Sequence, residues 1–301
     1  MSTRASNMTD TVRLNLPASA ARHSPSRRLL LRFGRSLNVL VGTIVLAIMV
    51  LLAIFAPVIT TYDPVQITPQ LRLRPPDAEH IFGTDDFGRD VFTRVAYGAR
   101  LSLQVGIISV TLAATIGVTL GIIAGFYGGW IDSVIMRLID VMLAFPGILL
   151  ALVIVAILGR DLTNVMIAVG ISSIPVYARM ARGNTLSVKS IDYVAAAQAI
   201  GAPTGRIMAV HILPNIIAPL IVVATNGVAG AIISGAALSF LGLGAQPPTP
   251  EWGIMLSEGR LYLRQAWWVT TFPGLAIMIT VMAINLMGDG LRDILDPRLR
   301  L

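Results

Sequence analysis

Six stretches of this chain carry no charged side chain, and their lengths restrict its fold more than any other feature. They run from Ser36 to Tyr62, Leu101 to Ile131, Val141 to Gly159, Leu162 to Ala178, Ile207 to Pro250 and Gln265 to Gly288. A helix crossing the hydrocarbon core of a membrane needs about 20 such residues, because the backbone there must satisfy its own hydrogen bonds. Each run can hold one helix. The fifth is long enough for two, but its end, Leu241-Gly-Leu-Gly-Ala-Gln-Pro-Pro-Thr-Pro250, is a glycine- and proline-rich breaker and not a second span. The expectation is an all-α membrane protein with six transmembrane helices, which puts both termini on one side. Composition agrees. Hydrophobic residues make up 55% and charged residues 13% of the chain, against about 25% charged in soluble domains, so it cannot cover itself with polar surface.

The net charge of +7 raises the question of a nucleic-acid partner. In a membrane protein the excess has another origin, arginine and lysine retained on the cytoplasmic side, and the distribution decides. With the termini inside, 15 basic residues fall in inner segments or helix ends and eight in outer ones, with Arg27, Arg28, Arg32 and Arg35 leading the first helix. The partner expected is membrane lipid, and no nucleic acid. Tryptophans point the same way: Trp130 falls at an inner boundary and Trp252, Trp267 and Trp268 at outer ones, where an aromatic belt is expected. The organisation that follows is a cytoplasmic N-terminal tail over residues 1–35 and a transmembrane domain over 36–301. The domain has outer loops near 58–98 and 243–267 and an inner segment near 180–212. A signal peptide is the competing reading of the N-terminus, but the first apolar run is too long for a signal core and Phe55-Ala-Pro-Val-Ile-Thr-Thr61 is a poor cleavage site.

Several chemistries are excluded by the residues present. The chain has no cysteine, hence no disulfide, thiolate metal site or cysteine nucleophile. Its single lysine stands in Gly183-Asn-Thr-Leu-Ser-Val-Lys189-Ser190, which resembles a phosphate loop except that Val188 replaces the second glycine and blocks the backbone's approach to phosphate. This chain is therefore expected not to hydrolyse ATP and to be no enzyme. An ion-coupled transporter would keep ionisable groups near mid-membrane, and those positions are nearly empty. Asp140 has Arg137 one turn earlier on the same face, which reads as a structural pair. His211, beside Pro214, reads as a satisfied interfacial histidine. The run Gly83-Thr-Asp-Asp-Phe-Gly-Arg-Asp90 clusters carboxylates, but Arg89 among them and the missing distal glutamate argue for a turn at the membrane face and against calcium. No metal site is expected.

The segment that carries function is the inner one, Asp192-Tyr-Val-Ala-Ala-Ala-Gln-Ala-Ile-Gly-Ala-Pro-Thr-Gly-Arg-Ile-Met-Ala-Val-His-Ile-Leu-Pro214. It reads as helix, turn and return to the membrane. Val194 to Ile200 make a slim apolar helix, Gly201 supplies its C-terminal conformation and Pro203 stops continuation. This run resembles the E-A-A-x-x-x-G-x(9)-I-x-L-P signature of ABC importer permeases, with Ala196, Ala197, Gly201, Leu213 and Pro214 on its fixed positions. Ala195 stands where that family usually has glutamate, and His211 where the general pattern has isoleucine. Other blocks agree in order with the dipeptide/oligopeptide/nickel branch, second-permease type: His80 to Asp90, Tyr97 to Leu103, Arg137 to Pro146, Leu238 to Gly244, Pro250 to Gly253 and Asp289 to Pro297.

The resemblance implies a type I ABC importer permease in the bacterial inner membrane, pairing with a second, homologous permease. Two cytoplasmic ATPases would use ATP and Mg, this subunit binding no cofactor. A periplasmic or lipid-anchored binding protein would deliver a peptide or a related small solute, nickel complexes included. Tyr193, Ala195, Ala196, Ala197, Gly201, Ala202, Arg206, Leu213 and Pro214 would then couple to the ATPases. Thr225, Asn226 and Ser234 are candidates for a polar, uncharged pathway, although small polar residues also mediate helix packing in lipid. The alternative class is a self-sufficient channel or secondary transporter, distinguished by uptake without ATPases.

Overall fold

The computed structural model describes residues 37–295; the tail, with its arginines, and the end of the chain around Pro297 lie outside the described residues. Among the described residues, besides two single 3-10 turns, the fold has nine helices: α1 (Leu37–Ile59), α2 (Val91–Tyr127), α3 (Gly129–Leu143), α4 (Gly147–Leu158), α5 (Leu162–Lys189), α6 (Asp192–Ala199), α7 (Thr204–Phe240), α8 (Trp252–Gly259) and α9 (Trp268–Leu295). Among the described residues there is no strand, only one isolated bridge between Thr84 and Asp90. Helices α1, α2, α5, α7 and α9 are each long and apolar enough to cross a membrane.

The run from Val141 to Gly159 behaves differently from the single span expected of it. Its helical path starts earlier, at Gly129, and turns by 90° between α3 and α4. Pro146, with φ −54° and ψ 131°, leaves the helical region and caps α4. A proline cannot continue the preceding ladder and pushes the residue before it out of the helical region. With 12 residues, α4 is about 18 Å long and does not cross alone. A sixth crossing exists only if the bent pair acts as one span.

Small residues let the helices approach. Gly117, Gly121 and Gly125 line one face of α2 against α5, where an added methyl at Gly117 would lie 2.7 Å from the Ile174 carbonyl oxygen, and one at Gly125 would lie 2.9 Å from Thr185 Cβ. In lipid such stripes substitute close backbone packing for a hydrophobic drive. Gly42 of α1 meets Ala283 and Met287 of α9 in the same way. Ion pairs reinforce one end of the bundle: Arg182 grips both carboxylate oxygens of Asp132 at 2.5 Å, and Arg179 pairs with Asp140 at 2.6 Å. Asp140 thus bonds across to α5 and not back to Arg137 along its own helix, because α3 lies against α5 at this level. Lys189 Nζ donates to the Phe126 carbonyl at 2.5 Å, placing its charge on the negative end of α2.

At the opposite end, the carboxylate-rich segment expected as a simple turn is a buried ionic network. Arg89 and Arg94 are 2% and 1% exposed. Arg89 bonds Asp85 at 2.6 Å and Glu258 at 3.1 Å; Arg94 bonds Glu258 and the carbonyls of Pro64 and Pro248, each at 3.1 Å. Asp90 caps α2 through the Thr93 N–H and pairs with buried His80 at 2.9 Å. Glu251 caps α8 by accepting from Gly253 and Ile254, and burial pushes its carboxyl up from the ordinary value. Two of the tryptophans assigned to an interface belong here instead. Trp252 and Trp268 are buried, donating at 3.0 Å to the carbonyls of Val95 and Thr84, while Trp130 and Trp267 are exposed. An indole flanked by apolar and polar residues satisfies a core as well as a membrane boundary.

Candidate coupling and pathway sites

Helix α6 stands at the α3/α5 end of the bundle, between the last turn of α5 and the start of α7. Asp192 opens it with a carboxylate in the first turn, and its end is a Schellman motif. Gly201 has φ +76°, its N–H donates to the Gln198 carbonyl at 3.0 Å, and the Ala202 N–H donates to the Ala197 carbonyl at 3.1 Å. Pro203 follows and caps α7. Val194 and Ala197 turn inward onto a cluster with Ile122 and Phe126 of α2, Val188 of α5, and Ile207 and Ile212 of α7. Ala195 and Ala196 face outward, so the alanine run divides into an anchoring and a free face.

The free face continues into a cavity of about 540 Å³ lined by Tyr193, Ala196, Ala197, Ile200, Gly201, Ala202, Arg206 and His211. Tyr193 braces its far wall, its hydroxyl donating to the His211 carbonyl at 3.3 Å. No atom lies within 4 Å of where a side chain at Gly201 would begin. Ile200, which the motif itself does not single out, is 85% exposed. A branched apolar residue immediately before the terminating glycine was the signal for it. Beyond Arg206, residues Ile207–Ile212 form a π-helical segment ending one residue before Leu213 and Pro214. Pro214 has no N–H, and its ring crowds the carbonyl four residues back, so the ladder upstream is the place to widen. Leu213 is half-buried and Pro214 exposed.

Of the three pathway candidates, Thr225 and Asn226 meet at Gly288 of α9, and Ser234 stands apart. The hydroxyl of Thr225 donates to the Ile221 carbonyl, and its side chain lines a largely apolar crevice of about 350 Å³ with residues of α1, α2 and α9. Ser234 is half-buried two turns further on. Asn226 is exposed and sits beside the Thr225 methyl against Gly288 of α9.

Residues 117–301 match the family model described as binding-protein-dependent transport system inner membrane component, and residues 24–76 match that of the N-terminal TM domain of oligopeptide transport permease C. The chain belongs to this permease family. It is a multi-pass inner-membrane protein and an ABC importer permease subunit of the DppC/OppC type. The dipeptide transport system permease protein DppC of Alkalihalophilus pseudofirmus is 51% identical over 277 residues, covering 92% of this chain and 91% of that protein. DppC of Haemophilus influenzae is 44% identical, covering 94% and 98%. The glutathione transport system permease protein GsiD of Escherichia coli is 48% identical, covering 89% of each. A solved structure of the MetNI methionine ABC transporter in an inward-facing conformation shares the fold, with a TM-score of 0.54 and 19% identity over 66% of this chain and 95% of the other.

Proposed function

We propose that this permease forms half of the transmembrane pathway of an ATP-driven importer for short peptides or a related small solute. A second, homologous permease supplies the other half, two cytoplasmic ATPases use ATP and Mg, and a binding protein presents the cargo. The subunit itself binds no cofactor and catalyses no reaction. The observation that carries this reading is α6, a short helix held by its inner face to three spans while its outer face, with Ile200, stays free. A displacement applied to that face reaches α2, α5 and α7 through one packed cluster, which is what a switch between inward and outward access requires. In this reading the α6 end faces the cytoplasm, and the loop near Asp77 and α8 lie outside. The names of the relatives support peptide cargo, dipeptides and glutathione both being small peptides.

Reconstitution in lipid with and without the second permease and the ATPases tests the division of labour. Hydrolysis and uptake are expected only in the complete assembly. ATP hydrolysis, or uptake, by the purified subunit alone would overturn it, the second result favouring a self-sufficient transporter.

A further inference from the structure

Two exposed stripes at helical spacing face one another along the α7/α9 contact. Asn226 and Ile233 of α7 are seven residues apart, and Met278, Met282, Asn285 and Asp289 of α9 recur at four, three and four. Between them runs a groove of about 440 Å³, lined by Ile233 and the four α9 residues among others. Gly288 is what lets the stripes meet, because Asn226 Oδ1 occupies the space its methyl would fill. No salt bridge or side-chain hydrogen bond is formed by Asp289 or Asn285 within the described residues. Both helices are lipid-length and apolar up to this level, and Asp289 ends the charge-free run of α9, with Arg292 and Asp293 following. Asn285 lies one turn inside that run, where an amide without a partner is costly against hydrocarbon. This face therefore looks onto water or protein.

We propose that this groove is the permease's share of the cargo pathway, and that it accommodates a short peptide with a free amino terminus, the α-ammonium passing Asp289. The inference rests on the peptide-importer reading above. Chemistry favours cargo over a fixed protein partner. The two methionines are unbranched and polarisable, which suits walls that must accept varied side chains. Asn285 on the groove wall offers a donor and an acceptor to an amide or terminal carboxylate, with Asn226 nearby against Gly288. Asp289 provides the charge-assisted partner for an ammonium, so the pathway is not wholly uncharged. Thr225 and Ser234 stand outside it.

The test uses the assembled importer, purified by size exclusion, and exploits the absence of native cysteine in this chain. Met282→Cys and Asn285→Cys are treated with a cationic, membrane-impermeant thiol reagent, with Ile48→Cys on the exposed apolar face of α1 as the comparison, and modification is read by mass on this subunit. Both groove positions are expected to react faster than position 48, and the rate to change when a dipeptide, binding protein and ATP are added. In liposomes, Asp289→Asn is expected to lower dipeptide uptake about tenfold, the loss of one charge-assisted hydrogen bond, with Asp289→Glu retaining most of it. Protection of both cysteines in nucleotide-free and ATP-bound complexes alike would show a buried interface with the second permease and overturn the proposal. Normal uptake by assembled Asp289→Asn would overturn the role of its charge. If the wild-type assembly imports no dipeptide at all, the cargo reading fails, while the labelling still decides whether the groove is a water-lined path.

Discussion

Gly201 offers the sharpest test of coupling, because its structure separates backbone strain from volume. At φ +76° any L side chain costs about 1–2 kcal/mol, and alanine and leucine pay it alike. Neither meets an atom of this subunit within 4 Å of its first carbon, and the cavity beside Gly201 leaves room for a longer side chain, so the comparison of Gly201→Ala with Gly201→Leu probes what approaches from outside. If an ATPase surface packs closely on the free face of α6, the bulk of leucine costs about 1–3 kcal/mol, a loss of coupling of roughly five- to 150-fold. Gly201→Ala should then keep most cargo-stimulated ATP hydrolysis and Gly201→Leu should lose it. Ala195→Glu, at an exposed position that the family usually fills with glutamate, should change stability by no more than about 0.5 kcal/mol and leave hydrolysis intact. Expression, assembly, stimulated hydrolysis and uptake are measured on all three variants in the complete importer. If assembled Gly201→Leu hydrolyses and transports normally while Ala195→Glu abolishes both, α6 is not read by close packing.

Other consequences concern the scaffold. Arg94→Met removes one of the two guanidinium partners of Glu258 and the donor to the carbonyls of Pro64 and Pro248. It should cost on the order of 3 kcal/mol, near the lower end for a broken buried pair because Arg89 still reaches Glu258. A thermal-inactivation half-life equal to that of the wild type would contradict this. Gly121→Leu must separate α2 from α5, where even the first methyl would stand 2.7 Å from Ala181 Cβ; a cost of at least about 1–3 kcal/mol should appear as reduced membrane accumulation of folded subunit. Burial raises the pKa of Glu251 above its ordinary value, so the carboxyl takes up a proton more readily in the fold than in the unfolded chain. Its contribution to stability is complete below the unfolded carboxylate range and is lost as pH rises through the raised value. Inactivation temperature measured against pH should fall across that window in the wild type and fall less in Glu251→Gln.

How much of this was legible in the sequence depended on whether the information was local. Runs without charge mark spans because lipid leaves the backbone no other partner, and five of the six expected helices follow from that alone. The end of α6 was equally readable, since only glycine adopts φ +76° without strain and Pro203 cannot extend a helix. The third run marked the place of the remaining segment, but its charge-free length gave no sign of the 90° turn at Pro146, and its start was missed because Gly129 to Asp140, though helical, are not charge-free. Partner choice was decided by tertiary structure. Arg137 and Arg179 were equally available to Asp140, and the packing of α3 on α5 selected the second. Trp252, Trp268, Arg89 and Arg94 look like boundary or surface residues in one dimension. They are buried because loop, α2 and α8 supply carbonyls and carboxylates from positions more than 150 residues apart, as in the Trp252–Val95 and Arg89–Glu258 contacts. The α7/α9 groove is of the same kind. Each stripe is a helical repeat in its own segment, but that the two face each other, with Gly288 making room for Asn226, is a relation between helices that no local pattern contains.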